Sequence, residues 1–172
     1  MRGHIAQIHQ RNLIAQHIIR SGEHVVDPMA IATCNATLMT RKEIESKIEP
    51  MRLSVKAMTM GKGTFTDWVR LCSAYNVAKS IEHFGVVRGY KNALTELKHV
   101  LDAIGQRAGE DACNWKYPTL YAHEIQVLRM QCSDHKFQLT QISYGEFIQA
   151  YDHAVNKCRS QGGEVFKLGE LQ

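Results

Sequence analysis

The sequence predicts an all-α protein, an irregular multi-helix bundle with three or four long helices and shorter helices toward the N-terminal end. Three observations predict it. Apolar residues recur at steps of three and four through segments near 65–84, 88–107 and 120–142. Helix caps and stops bracket those segments. The stretch His24-Val25-Val26 before Asp27-Pro28 is too short to specify a sheet.

The elements follow in order. Residues 5–20 carry Ile5, Ile8, Leu13, Ile14, Ile18 and Ile19 at tolerable helical spacing, with Ser21-Gly22 as a stop. Gln10, Arg11 and Asn12 break that face, so it reads as a packed helix or as an arm that orders on a partner. Asp27-Pro28-Met29 is a cap followed by Pro in the first helical position, opening a short helix to about Cys34. Thr40 and Glu43 form a capping box for a helix through Ile44 and Ile48 that ends at Glu49-Pro50. A further segment, Met51 to Met60, then starts with Pro50 in its first turn.

Gly61-Lys62-Gly63-Thr64 is the strongest punctuation, with Gly61 a left-handed helix stop and Thr64 the next cap, Asp67 at its third position. The stripe from there is Phe65, Trp68, Val69, Cys72, Tyr75, Ala78, Ile81 and Phe84, ended by Gly85. A helix from about Arg88 to Arg107 or Ala108 has the cleanest face: Tyr90, Ala93, Leu94, Leu97, Val100, Leu101 and Ile104. After a link through Asp111, Asn114, Trp115 and Pro118, a long helix starts at Pro118 or Thr119. Its seam is heptad-like: Tyr121, Ile125, Leu128, Cys132, His135, Leu139 and Ile142. Ser143 and Glu146 box the last helix, with Phe147, Ile148, Tyr151, Ala154, Val155 and Cys158, which Gly162-Gly163 stops.

At 172 residues, with 44% hydrophobic residues and only 12 Gly and 3 Pro, the chain has the size and composition of one folded domain. Residues 1–172 therefore read as a single helical domain, with 1–22 a peripheral helix or arm and 163–172 a loosely docked tail. The 21 basic and 17 acidic side chains leave a charge of +4. The basic residues are dispersed among acidic ones, unlike the clustered stripe of a nucleic-acid binder. The 5 cysteines are odd in number and widely spaced, without a CxxC, and read as reduced thiols. No secretory signal and no apolar run of membrane-spanning length is read, so a cytoplasmic protein, of the producing cell or of a host it enters, is expected.

Gly61-Lys62-Gly63-Thr64 followed by Asp67-Trp68, then Asn76-Val77-Ala78, resembles a group of small proteins encoded by proteobacterial phages and related mobile elements. The likeness extends through Ala93-Leu94, Glu124-Ile125, Asp134 with Gln138, and Ala150, over about residues 50–155, and more faintly to Asp27-Pro28-Met29. It implies a helical phage or plasmid accessory protein and carries over no catalytic residue. The His-rich first twenty residues fall outside it.

Each chemical constellation has a plainer reading beside it. Gly61-Lys62-Gly63-Thr64 lacks the phosphate-loop form and an upstream strand, and reads first as an inter-helix turn. Cys132 and His135, with His123 upstream, are too few for zinc and sit on a packing seam. Neither His99 with Asp102 nor His123-Glu124 completes a catalytic set. No metal, cofactor or catalytic residue is assigned. Asn76 and His135 are structural polar candidates, and Asn76 is expected to find a backbone carbonyl, Asp134 or Gln138 across the bundle. Trp68 reads as core. Trp115 with Tyr117 and Tyr121 either closes the bundle end or anchors a partner. Arg11 and Arg20 join them as partner-binding candidates.

The expected function is that of a phage or mobile-element accessory protein. It acts by protein–protein contact and modulates or inhibits a host complex. A homodimer through the 121–142 seam or the 5–19 helix is one form such contact takes. The alternative is a nucleic-acid-binding regulator using Arg41, Lys42, Lys47, Arg52, Lys56, Lys62 and Arg70.

Overall fold

The computed structural model describes residues 28–109 and 112–161. The expected 5–20 helix or arm with its stop, His24-Val25-Val26, the Asp27 cap, Arg11, Arg20, Asp111, Gly162-Gly163 and the 163–172 tail lie outside the described residues. The chain divides into two compact units at Thr37/Leu38. In the first, α1 is Pro28–Ala36, with Pro at its opening position and an end two residues beyond the expected one.

The second unit is all-α, a bundle of five helices: α2 (Arg41–Thr59), α3 (Phe65–Phe84), α4 (Lys91–Ala108), α5 (Ala122–Gln141) and α6 (Tyr144–Ser160). All five are long, 17 to 20 residues, where the sequence predicts three or four. Among the described residues the extended pairing is one isolated bridge, Leu38 to Ser143.

The difference in count comes from α2, which runs through Pro50 as one helix instead of two segments. Its buried face, Ile44, Ile48, Met51, Val55 and Met58, continues on both sides of the proline. Proline inside a helix costs about 3 kcal/mol, and burying three large side chains beyond it returns more than that. Replacing Pro50 by Ala is therefore expected to stabilise the protein by about 1–3 kcal/mol, seen as a higher urea midpoint at unchanged slope.

The Gly61–Thr64 junction is built from backbone. Lys62 N–H donates to Ala57 O (3.0 Å) and Gly61 N–H to Met58 O (3.1 Å), a Schellman stop with Gly61 at φ 67°. A Cβ on Gly63 would lie 2.9 Å from Met58 Cα, so the return loop requires glycine there. Thr64 then caps α3: its Oγ1 accepts from Asp67 N–H, and its own N–H donates to Asp67 Oδ2 at 2.9 Å. Buried Ser54 Oγ also donates to Asp67 Oδ1 (2.8 Å), tying α2 to that cap.

α3 is the central helix and packs against all four others of its unit. It buries Leu71, Tyr75, Val77, Ala78, Ser80 and Ile81, a set wider than the predicted stripe, because it has neighbours on more than one side. Phe84, placed on that stripe by its spacing, is exposed. The α4 face is buried at Leu94, Leu97, Val100, Leu101 and Ile104, whereas Tyr90 and Ala93 are half-buried. The helix starts at Lys91, later than its pattern suggests, because the Glu82 carboxylate accepts the N–H groups of Gly89 and Tyr90 and holds them outside it. α5 starts at Ala122, again later than Pro118 or Thr119, since Tyr121 is extended and its N–H is taken by Glu124 Oε2 at 2.8 Å. α6 packs mainly on α3, not on its predecessor α5.

Two apolar clusters result. One gathers the C-terminal half of α2, Leu71, Tyr75, the α4 face and Leu128. The other gathers Ile44, Ile48, Val77, Ile81, Leu139, Ile142 and the α6 residues Phe147, Ala150 and Ala154. Along α5, the stretch between Leu128 and Leu139 is where polar side chains enter the interior.

Candidate functional site

The buried face of α5 is Glu124, Leu128, Gln131, His135, Gln138 and Leu139, so polar residues alternate with apolar ones in the interior. Gln131 Nε2 donates to Leu71 O (3.4 Å), and Gln138 Nε2 donates to Ala78 O (3.3 Å). Both carbonyls belong to α3 and only accept, which fixes which way each amide points. Gln138 Oε1 is therefore the acceptor for His135 Nδ1–H at 3.3 Å, leaving His135 Nε2 as an acceptor. Gln131 Oε1 is buried and has no hydrogen-bond partner.

Burial pushes the pKa of His135 down to about 4, against a smaller opposite effect of its bond to Gln138. The folded state thus refuses a proton that the unfolded chain takes up near pH 6.5. Stability contributed by neutral His135 is complete above pH 6.5 and is lost as pH falls toward 4. Between pH 7 and pH 4.5 the loss should be roughly 2–3 kcal/mol, and His135→Leu should remove that part of the acid dependence in urea unfolding.

Beside this layer is a small pocket of about 30 Å³ between α3, α4 and α5, lined by Tyr90, Glu96, Gln131, Asp134, His135 and Gln138 among apolar residues. Burial raises the carboxyl pKa of half-buried Asp134. Glu96, exposed, also lines a second, wider groove of about 650 Å³ along α4, with Asn92, Thr95, His99, Val100, Ala103, His123 and Glu124.

Two residues of that lining, His123 and Glu124, adjoin a preorganised aromatic, Tyr121. Arg107 Nη2 contacts both oxygens of buried Glu124 at 2.8 and 2.7 Å. The same guanidinium lies over the Tyr121 ring, 4.9 Å from its centroid. His123 stacks near-parallel with that ring at 6.1 Å. Tyr121 nevertheless stays 58% exposed, and Tyr117 66%.

Trp115 has a different place from the two tyrosines. Its Nε1 donates to Gly63 O (2.8 Å), and its ring meets Phe65 and Trp68 in a three-ring cluster at the α2–α3 junction. Trp68 Nε1 donates to Leu101 O (3.0 Å), and its ring fills the space above Gly105. Trp115 therefore closes this end of the bundle, apart from the exposed pair Tyr117 and Tyr121.

Asn76 is a correction. Its half-exposed side chain takes part in none of the hydrogen bonds crossing from α5 to α3 among the described residues, because it lies between the two buried faces of α3. Gln131 and Gln138 make those crossings instead. Along the heptad seam of α5, Leu128, His135, Leu139 and Ile142 are buried in this unit, Ile125 and Cys132 are half-buried and Tyr121 is exposed, and the large apolar side chains that α5 leaves exposed are Met130 and Phe137.

The basic candidates are dispersed and partly neutralised. Arg52 contacts Glu45 (2.9 Å) and Glu49 (3.1 Å), and Lys136 reaches the same Glu45 at 2.6 Å. Arg70 lies 3.6 Å from Asp67, and Lys47 sits over the Phe147 ring. Arg41, Lys42, Lys56 and Lys62 are exposed.

Other candidate groups are committed elsewhere. Asp102 pairs with Lys98, not His99, and Glu124 with Arg107, not His123. Burial pushes the Cys72 thiol up to about 12 and the Cys132 thiol up to about 11, which suits packing and not nucleophilic attack. Cys72 and Cys132 are free thiols. Among the described residues no three His, Cys, Asp or Glu side chains group to hold a metal, and no helix is long and apolar enough to cross a membrane.

The sequence pattern did not mark Glu124 and Gln131 as interior residues, and it offered Gln138 only as a partner for Asn76 across the bundle. The signal was there in their spacing with Leu128 and His135, at steps of four and three, but in residue types that hydropathy ignores. No protein-family model, curated protein or solved structure matches this chain.

Proposed function

We propose that this chain is an accessory protein of the kind its sequence resembles, encoded by a phage or mobile element, and that it works by docking a protein partner. Modulation or inhibition of a host complex is the role that fits such contact. The observation that carries the reading is Tyr121. It is gripped by Arg107 at 4.9 Å and stacked with His123, which lines an open groove, yet it is 58% exposed. An aromatic held in place loses little entropy on binding, and Tyr and Arg dominate interface energetics.

Nucleic-acid contact, the alternative, would fall to Arg41, Lys42, Lys56 and Lys62, since Arg52 and Arg70 lie against carboxylates and Lys47 lies over a ring. Interleaved Glu45 and Glu49 weaken that face further.

The test is quantitative capture of a stoichiometric partner from the producing cell or an infected host. Tyr117→Ala/Tyr121→Ala should weaken capture at least about tenfold, while Arg41→Ala/Lys42→Ala leaves it intact. The reverse pattern, with salt-sensitive binding of the purified chain to duplex or single-stranded DNA, would move the function to nucleic acid. Sedimentation of the pure chain separates a second copy from a foreign partner.

A further inference from the structure

We propose that the small pocket between α3, α4 and α5 is a binding site for a primary ammonium group, taken up as ammonium or the head of a short alkylamine. The proposal stands apart from the docking surface at Tyr121. Its first support is Gln131. The side chain is 95% buried, lines the pocket, and leaves Oε1 without a donor. Its amide cannot turn round to cure this, because its Nε2 is donating to the Leu71 carbonyl.

The second support is the rest of the lining. His135 uses Nδ1–H on Gln138, so the ring offers a lone pair at Nε2. Asp134 is a half-buried carboxylate, its carboxyl pKa raised by burial alone, with no cation lowering it. Glu96 stands exposed at the rim, and no Lys or Arg lines the pocket. The polar lining thus consists mainly of acceptors and negative charge, and Tyr90 is its one hydroxyl. A group with several N–H donors and a positive charge matches it, whereas an anion meets no cation there. The volume, about 30 Å³, admits a head of water or ammonium size and excludes a quaternary ammonium. Exposed Met130 at the lining gives an alkyl tail an apolar way out.

The test is titration of the ¹⁵N-labelled full chain with methylammonium chloride and n-propylammonium chloride, against sodium chloride and tetramethylammonium chloride at equal ionic strength. The expected result is saturable shifts confined to residues near 90–97 and 127–138, with a methylammonium Kd on the order of 10 mM, near the ceiling for two heavy atoms. Gln131→Leu, which removes the orphaned oxygen, should abolish saturation, and Asp134→Asn, at a half-exposed position, should weaken it at least about fivefold. Equal shifts with tetramethylammonium or sodium, undiminished binding to Gln131→Leu, or no shift with either amine (an ordered water as sole occupant) would each overturn the proposal.

Discussion

Replacing Arg107 by Met is expected to destabilise the protein by about 3 kcal/mol, the lower end of the range for breaking a buried ion pair. The reason is asymmetry of burial: the Glu124 side chain is 2% exposed and that of Arg107 33%. Removing the arginine strands a carboxylate that keeps only the Tyr121 N–H as a strong partner. Replacing both, as Arg107→Met/Glu124→Leu, removes the stranded charge and should recover all but about 1 kcal/mol, the worth of the lost N-terminal cap on α5. Urea unfolding of the two single variants and the double variant closes the cycle. A double variant no more stable than Arg107→Met would show that the pair is not what holds α4 to the start of α5. Loss of Arg107 also frees the Tyr121 ring, so partner capture should weaken in the single variant even where it is folded.

The second large effect concerns α3. Leu71→Ala should cost about 3–4 kcal/mol, because Leu71 is fully buried at the meeting of α2, α4 and Leu128, where the lost side chain leaves a cavity. Val69→Ala, two residues away and half-buried, should cost under about 1 kcal/mol. This ordering opposes the periodicity, which puts Val69 on the stripe and leaves Leu71 off it. Equal costs at the two positions would mean that α3 is packed on one face only.

Those two residues show where the sequence was legible and where it was not. Local signals were readable wherever the chemistry is local: Thr40 with Glu43 and Ser143 with Glu146 form the boxes their spacing announces, and Thr64, read as a cap with Asp67 at the third position, forms one too. The α4 face was readable for the same reason, since one helix side meets the core. A helix surrounded by neighbours has no single stripe, and Leu71 and Val77 are buried for reasons that lie in α2, α5 and α6. Pro50 misled because its local penalty is real, but burial of Met51, Val55 and Met58 is decided across the bundle.

The candidate site was less legible. Tyr117 and Tyr121 stand out in sequence as aromatics beside a link, but the grip of Arg107 on Tyr121 joins α4 to α5 and has no local trace. Gln131 looks like a surface residue of an amphipathic helix, and Gln138 stands out only as a cross-bundle partner for Asn76. They are interior because α3 offers carbonyls at their level, a complementarity that exists only once two helices meet. Asn76 drew attention for its place in mid-helix, yet the faces on either side of it are the ones that pack.

The proposed working surface is the α4–α5 edge carrying Tyr121. Hydrogen–deuterium exchange of the chain, alone and with its captured partner, reads that surface directly. Slowed exchange confined to residues 91–103 and 115–127 is the result expected. Protection instead over the basic side of α2, with the α4–α5 edge unchanged, would contradict it.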